Sequence, residues 1–219
     1  MIAFLHTSPV HVETFERLVH AIEPSLAIHH AVDEALLLDA QRLGADDPSV
    51  VQRVHAAMAQ AASQGASVVV CTCSTIGGAA ERMPTAGRFT AARIDRAMAD
   101  RAAKLGPRVL LVAALESTLA PTTTLLQESA TALGAEVVIE TLLVGNAWPH
   151  FLRGDRAAYI EAIAAAVRAA TGKANVIVLA QASMAPAADL LADLGVEVLS
   201  SPVLGVQRAV AQWKALLRA

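Results

Sequence analysis

Two cysteines, Cys71 and Cys73, stand near the end of the stretch Ala66 to Gly78, which reads ASVVVCTCSTIGG. The β-branched run Ser67-Val68-Val69-Val70 fits a buried strand of a parallel sheet, and Cys73-Ser74-Thr75-Ile76-Gly77-Gly78 fits the turn from that strand into a helix. A thiol at such a strand end meets backbone amides and a helix N-terminus, both of which favour the thiolate. Cys73 therefore reads as an acid/base group or nucleophile. Ser74 and Thr75 add hydroxyl donors that could hold a substrate carboxylate and the enediolate formed when its α-carbon loses a proton or carbon dioxide. Cys71 shares the parity of Cys73 but lies inside the strand, where a free cysteine is usually a small core residue. The CxC spacing has no further ligands at metal-binding distance in the sequence, so no metal is expected. Gly77-Gly78 belongs to neither GxGxxG nor a Walker pattern, which disfavours a nucleotide- or flavin-binding domain.

One thiol needs partners. The histidines His6, His11 and His150 could supply a second acid/base group, and His6 is favoured because it ends the first strand, at the same sheet edge as Cys73. His29 and His30 are adjacent in a strand, face opposite ways, and can offer only one ring to any site. Asp95, after strand-like Arg93-Ile94, could accept from a substrate amine, orient another side chain, or cap a helix. Ser117, Thr118 and Thr122, at the start of a second helix, could donate to a carboxylate or serve as caps.

The elements that must position these groups alternate along the chain. Short apolar strands are expected at Ile2 to His6, Leu26 to Val32, Ser67 to Val70, Arg108 to Ala114, Val137 to Leu143, Asn175 to Leu179 and Val196 to Leu199. Between them, helical spacing predicts helices over Val12 to Ile22, Glu34 to Leu43, Pro48 to Gln64, Ala91 to Leu105, Thr118 to Leu133, Arg156 to Ala170, a segment running to about Leu194, and Val206 to Leu217. A looser Gly-, Pro- and Thr-rich stretch spans Gly77 to Phe89, and Gly145 to Gly154, with Trp148, His150 and Phe151, forms either a lid or packed aromatic wall. Alternation of this kind means βαβ units and parallel sheets. A shift of 108 positions lays Ile2-Ala3-Phe4-Leu5 on Leu110-Leu111-Val112-Ala113 and Val68 to Cys73 on Val176 to Gln181, an internal repeat that sets Cys73 opposite Gln181.

Composition narrows the class. At 219 residues the chain holds one large domain or two small ones. It is 55% hydrophobic and 17% charged, yet no apolar run reaches the roughly 18 residues of a membrane span. The N-terminus, MIAFLHTSPV, lacks a basic leader region, so a cytoplasmic location is expected. A net charge of −3 gives no reason to expect nucleic acid or an anionic membrane as partner.

Taken together, these segments resemble the aspartate/glutamate/hydantoin racemase superfamily, which also holds maleate isomerases and arylmalonate decarboxylases. Cys73-Ser74-Thr75 resembles the family's first Cys-Asn-Thr element; ARIDRAMAD around Asp95, LLVAALESTLAPT from Leu110 to Thr122, and SSPVLGV from Ser200 to Val206 extend the likeness over nearly the whole chain. The resemblance implies two similar αβα domains with parallel sheets, related by a pseudo-twofold, with the site in a cleft between them. The expected division is residues 1–95 plus 200–219, carrying Cys73, and residues 96–199, carrying Gln181. It further implies proton transfer beside a carboxylate without a cofactor, a small carboxylate substrate, a homodimer as a common state, and carboxylate contacts at Ser117 and Thr118. One departure changes the chemistry: the family's second element reads Gly-Cys-Thr, and here it is Ala180-Gln181-Ala182. A carboxamide cannot exchange protons near neutral pH, so Gln181 can only hydrogen-bond, and two-base racemisation needs another partner. Decarboxylation with one-sided protonation, cis/trans isomerisation and lyase chemistry stay open to a single thiol. A binding protein that kept the carboxylate pocket is the alternative.

Overall fold

The computed structural model describes residues 1–170 and 172–218. The chain divides into two compact units, residues 1–96 with the chain from Pro202 on, and residues 97–201. Each is built on one four-stranded, all-parallel sheet.

In the first unit the strands are β1 (Ile2–His6), β2 (Ile28–Val32), β3 (Val68–Cys71) and β4 (Thr90–Arg93), in the order β2-β1-β3-β4. The helices are α1 (Val12–Ile22), α2 (Ala35–Leu43), α3 (Pro48–Ala62), the five-residue α4 (Gly77–Glu81), and α10 (Ser201–Leu216), most of which lies here. β1 and β3 are central and buried at every position, which is why their sequences are unbroken apolar runs. Alternate residues feed opposite faces. Ala3, Leu5, Val69 and Cys71 pack with Leu36, Val50, Val54 and Met58 of α2 and α3. Phe4 and His6 point the other way, onto Phe15 of α1. α3 starts at Pro48, with Asp47 as its cap accepting from the Ser49 amide at 2.9 Å.

The second unit repeats this with β5 (Arg108–Ala113), β6 (Val138–Leu143), β7 (Val176–Leu179) and β8 (Glu197–Ser200), in the order β6-β5-β7-β8. Its helices are α5 (Arg96–Leu105), α6 (Glu116–Ala132), α7 (Trp148–Leu152), α8 (Arg156–Ala170) and the single-turn α9 (Ala187–Leu190). Leu110, Val112, Ile177 and Leu179 pack with Tyr159, Ile163 and Val167 of α8.

The repeat is real in topology, and its register corrects the alignment read from sequence. Ile2 pairs with Val68, and Val109 pairs with Val176. β3 therefore maps onto β7 at the expected shift, but Ile2 maps onto Val109 and not Leu110. The one-residue difference matters because it reverses faces: Ala3 and Leu5 then match Leu110 and Val112, which face the equivalent core. Cys73 still matches Gln181, whereas His6 matches Ala113.

Two helix expectations also need correction. Ala91 to Leu105 is not one helix: Thr90–Arg93 pairs with β3, and the helix begins at Arg96. Alanine favours helix locally, but the open edge of β3 offers four residues of ladder, and tertiary pairing overrides a weak propensity. The stretch running to Leu194 is broken into 3-10 turns at Ala182–Met184 and Ala192–Leu194 around α9. The loose segment after Cys73 opens with the short helix α4. In the segment Gly145 to Gly154, Trp148 stacks on Phe151 at 4.6 Å, Phe151 meets Tyr159, and both pack on the second unit's core.

Candidate active site

A strand order of β2-β1-β3-β4 reverses direction between β1 and β3, because the chain goes from β1 outward to β2 and then returns to the other side. The adjoining loops part there and leave a crevice outside the carboxyl ends of the strands. His6 and Thr7 end β1 at this switch point; Thr72, Cys73 and Ser74 follow β3. The same logic in the second unit puts Ala114 and Leu115 beside Ala180 and Gln181.

Cys73 is half-buried, while Cys71 below it is fully buried and donates its thiol hydrogen to the Cys73 carbonyl at 3.6 Å. Burial, reinforced by its cysteine neighbour, pushes the Cys71 thiol well up, so it stays a protonated core residue. Ser74 and Thr75 are buried beside Cys73. The helix that follows has only five residues, so the electrostatic help expected from a long helix dipole is reduced to the amides of one short turn.

What holds the turn is a pair the sequence reading assigned only in part. Arg93, at the end of β4, makes a two-pronged ion pair with Asp95, Nε to Oδ1 at 2.6 Å and Nη2 to Oδ2 at 3.0 Å, and both side chains are buried. Nη2 also donates to the Ser74 carbonyl at 3.3 Å. Gly77 lies against the same guanidinium, close enough that a Cβ there would sit 3.0 Å from Nε. Arg93 thus braces the chain from Ser74 to Gly77. Asp95 orients another side chain, Arg93, which is one of the roles the sequence allowed, and is itself fully buried. Burial alone would lower the Arg93 pKa, and the Asp95 charge and hydrogen bond more than offset this, leaving it above its ordinary value. Arg93 was legible only as an arginine inside an apolar, strand-like run, a pattern that requires a buried partner.

His6 takes a different environment from Cys73. It is fully buried on the Phe4 and Phe15 face, whereas Cys73 packs against the Leu5, Val69 and Cys71 face. Both ring nitrogens are occupied: Nδ1 lies 2.8 Å from Thr72 Oγ1, and Nε2 lies 2.8 Å from Nδ1 of His30. The Thr72 hydroxyl donates to the Leu5 carbonyl at 3.2 Å. The network then assigns His6 Nδ1–H as donor to Thr72 and His30 Nδ1–H as donor to His6 Nε2. Burial first, then the neighbouring charges of His30 and His11, lower the His6 pKa to about 3, so the ring is neutral near pH 7. The relay pins Thr72, and with it the backbone between Cys71 and Cys73. His11 packs near His6, with ring centres 6.3 Å apart. His150 lies in α7, where its Nδ1 accepts from Arg153 at 3.2 Å.

In the second unit Gln181 points its Oε1 at the Ala114 amide, 2.6 Å away, which joins the ends of β5 and β7 and leaves its amide nitrogen to donate. Ser117 and Thr118 occupy the first turn of α6, whose N-cap position is held by Leu115 with no side-chain cap. Ser117 Oγ and Thr122 Oγ1 are buried without a described hydrogen-bond partner, so neither hydroxyl is acting as a cap. Thr118 is buried next to them.

A sequence model of the Asp/Glu/Hydantoin racemase family matches residues 6–209. The chain belongs to the Asp/Glu/hydantoin racemase family. Solved structures share its fold at low identity. An aspartate racemase from Picrophilus torridus is 12% identical, with 96% of this chain and 93% of that one covered at a TM-score of 0.70. A glutamate racemase from Thermus thermophilus is 15% identical over 98% and 80% of the two chains, with a TM-score of 0.69. A glycine-to-cysteine variant of arylmalonate decarboxylase is 21% identical over 96% and 91%, with a TM-score of 0.61. No curated protein matches this chain in sequence. The family match extends from His6 through α6 and the Gln181 turn into α10, so the thiol turn and its counterpart in the second sheet both fall inside it.

Proposed function

We propose that this racemase-family chain is a cofactor-independent enzyme acting at the α-carbon of a small carboxylic acid, with Cys73 as its thiol acid/base or nucleophile. One observation carries the reading: Cys73 sits at the switch point of its sheet, in a turn that buried Arg93 and Asp95 brace from below. A charged pair placed under a turn costs desolvation, and that cost is explained if the turn must hold a reacting thiol in one position. The compounds named in its structural neighbours are aspartate, glutamate and arylmalonate, which share a carbon next to a carboxylate.

The chemistry follows from what each group can do. Cys73 takes the α-proton as a thiolate, or delivers a proton as a thiol, on one face. Ser74 and Thr75 donate to the substrate carboxylate and stabilise the enediolate as charge moves onto its oxygens. In the second unit, Ser117 and Thr118 offer hydroxyls and Gln181 an amide N–H with the same carboxylate-donor chemistry. None of these can act as the second base at neutral pH. His6 is fixed in its own hydrogen-bond relay and acts as a positioning residue. The reading is therefore one-sided proton delivery, as in a decarboxylation, isomerisation or lyase reaction, in preference to two-base racemisation. Its setting is the cytoplasm, with neither nucleic acid nor membrane as partner. No described helix is long and apolar enough to cross a membrane.

The test is proton NMR in deuterium oxide with both enantiomers of aspartate and glutamate, a 5-substituted hydantoin, maleate and an arylmalonate, comparing wild type with Cys73→Ala. Deuterium uptake or product formation that the alanine variant loses by a factor of about a thousand or more is expected. Retention at the labelled carbon indicates one base, and inversion two. An active Cys73→Ala enzyme would remove Cys73 from the mechanism. Saturable ligand binding without turnover, little changed in Cys73→Ala, would identify a carboxylate-binding protein instead.

A further inference from the structure

A cleft of about 650 Å³ opens in the first unit, at the end of the sheet away from Cys73. It lies where β3 and β4 begin: Ser67 directly precedes β3, and Thr90 and Ala91 are the first residues of β4, whereas Cys73 and Arg93 belong to the far ends of the same strands. Its volume is that of a small-molecule site, which usually measures about 300–1,000 Å³. Met83, Phe89 and Ala91, which also pack on the first unit's core, supply apolar lining. α10 adds Leu216, left 46% exposed.

Charge decides what the cleft can hold. Two charged residues line it, Glu81 and Arg88. Glu81 is already occupied: Arg96 takes both of its oxygens, Nε to Oε1 at 3.1 Å and Nη2 to Oε2 at 2.5 Å. Arg88 makes no ion pair among the described residues; its Nε donates to the Thr85 carbonyl at 3.2 Å, which anchors the guanidinium and leaves its two Nη groups open. That carbonyl belongs to a tight turn from Thr85 to Arg88, closed by the Arg88 N–H donating to the same oxygen at 3.1 Å. Ala86 and Gly87 stand at its centre with φ of +50° and +74°. Glycine adopts this left-handed conformation freely, but for alanine it is strained, and such strain collects at ligand clamps and active sites. The hydroxyls of Thr85 and Thr90 have no described hydrogen-bond partner and can donate. An amine would meet Arg88 with like charge and find Glu81 taken. A neutral apolar molecule would leave the guanidinium unused. A compact aryl or branched-alkyl body carrying one carboxylate matches the cation, the hydroxyls and the apolar lining together.

We propose that this cleft is a binding site, separate from the thiol turn, for a small apolar carboxylic acid whose carboxylate accepts from the Nη groups of Arg88. The inference is independent of the catalytic reading. The ligand's apolar body covers Leu216 and lies against Met83 and Phe89.

Amide proton–nitrogen correlation NMR of the full chain, titrated with hydrocinnamate in low-salt buffer, tests this. Saturable shifts are expected at the amides of Gly87, Arg88, Phe89 and Thr90. Hydrocinnamamide, which keeps the body and lacks the charge, is expected to bind the wild type about five-fold more weakly, the size an exposed charge pair supports. R88Q is expected to lose hydrocinnamate affinity by the same factor. Arg88 is exposed, so R88Q should leave the rest of the spectrum in place. A carboxylate held only at the thiol turn would move the Ser74 and Thr75 amides and leave Gly87 to Thr90 unmoved, which would overturn the proposal. So would the absence of any saturable shift, equal affinity for the acid and the amide, or undiminished binding by R88Q.

Discussion

At the scale of single residues, the site depends on two buried charge arrangements of opposite character. Arg93 and Asp95 are buried as a pair, and removing either partner would leave the other without it in a buried setting. His6 and His30 are held neutral by burial, which lowers the pKa of each. The neutral pair gives stability a definite pH dependence. Between the ordinary histidine value of 6.5 and about 3, the unfolded chain binds a proton that His6 in the folded chain refuses. This contribution is fully present above pH 6.5 and is lost as pH falls towards 3, by up to about 1.4 kcal/mol per pH unit. Urea unfolding from about pH 7.5 to about pH 5 should show wild type losing stability faster than His6→Gln, which cannot titrate. Parallel pH profiles for the two proteins would show that His6 is not held neutral.

At the scale of elements, the braced turn requires close approach of backbone to backbone. α10 crosses the end of β4 at Gly205, where a Cβ would overlap the Ile94 carbonyl oxygen and its side chain. Ile94 lies between Arg93 and Asp95, so the helix seats directly on the segment that carries the ion pair. A backbone carbonyl cannot swing aside as a flexible side chain can. Gly205→Ala should therefore cost roughly 1–3 kcal/mol or more, even though alanine is the better helix former. Gly77→Ala meets only the Arg93 guanidinium, at 3.0–3.2 Å, and should cost less. Chemical unfolding midpoints of the two variants give the order; equal midpoints would mean that α10 does not seat at this distance.

At the scale of the whole molecule, the first unit is assembled from two separated stretches of chain. The last helix contributes Val206, Ala209 and Val210 to a buried face although nearly all of the second unit precedes it in sequence. Truncation after Ser200 removes that cover. Hydrogen exchange followed by mass spectrometry is expected to show β1, β3 and β4 losing protection while β5 and β7 keep more of theirs. Loss of protection in both sheets together would mean that the two units unfold as one.

The sequence by itself determined the βαβ alternation, the central strands β1, β3, β5 and β7, the family likeness, and the thiol turn. Those features depend on local patterns: apolar runs long enough to be buried on both faces, and a chain that stops at Cys73-Ser74-Thr75. It misread β4, whose Ala91-Ala92 has no strand signal of its own and is extended because β3 has an open edge. It also missed the shift in register between the repeats, which only hydrogen bonding to a neighbour fixes. Tertiary structure alone decided the site's wiring. Position at a strand end suggested His6 as the partner of Cys73; what its ring bonds, Thr72 and His30, is read only from the folded chain. Asp95 was legible as an acceptor, but that Arg93 is the side chain it orients appeared only in the folded chain. Linear sequence records which groups reach a sheet edge; which face they take, and which partner satisfies them once buried, is decided only when the strands pair.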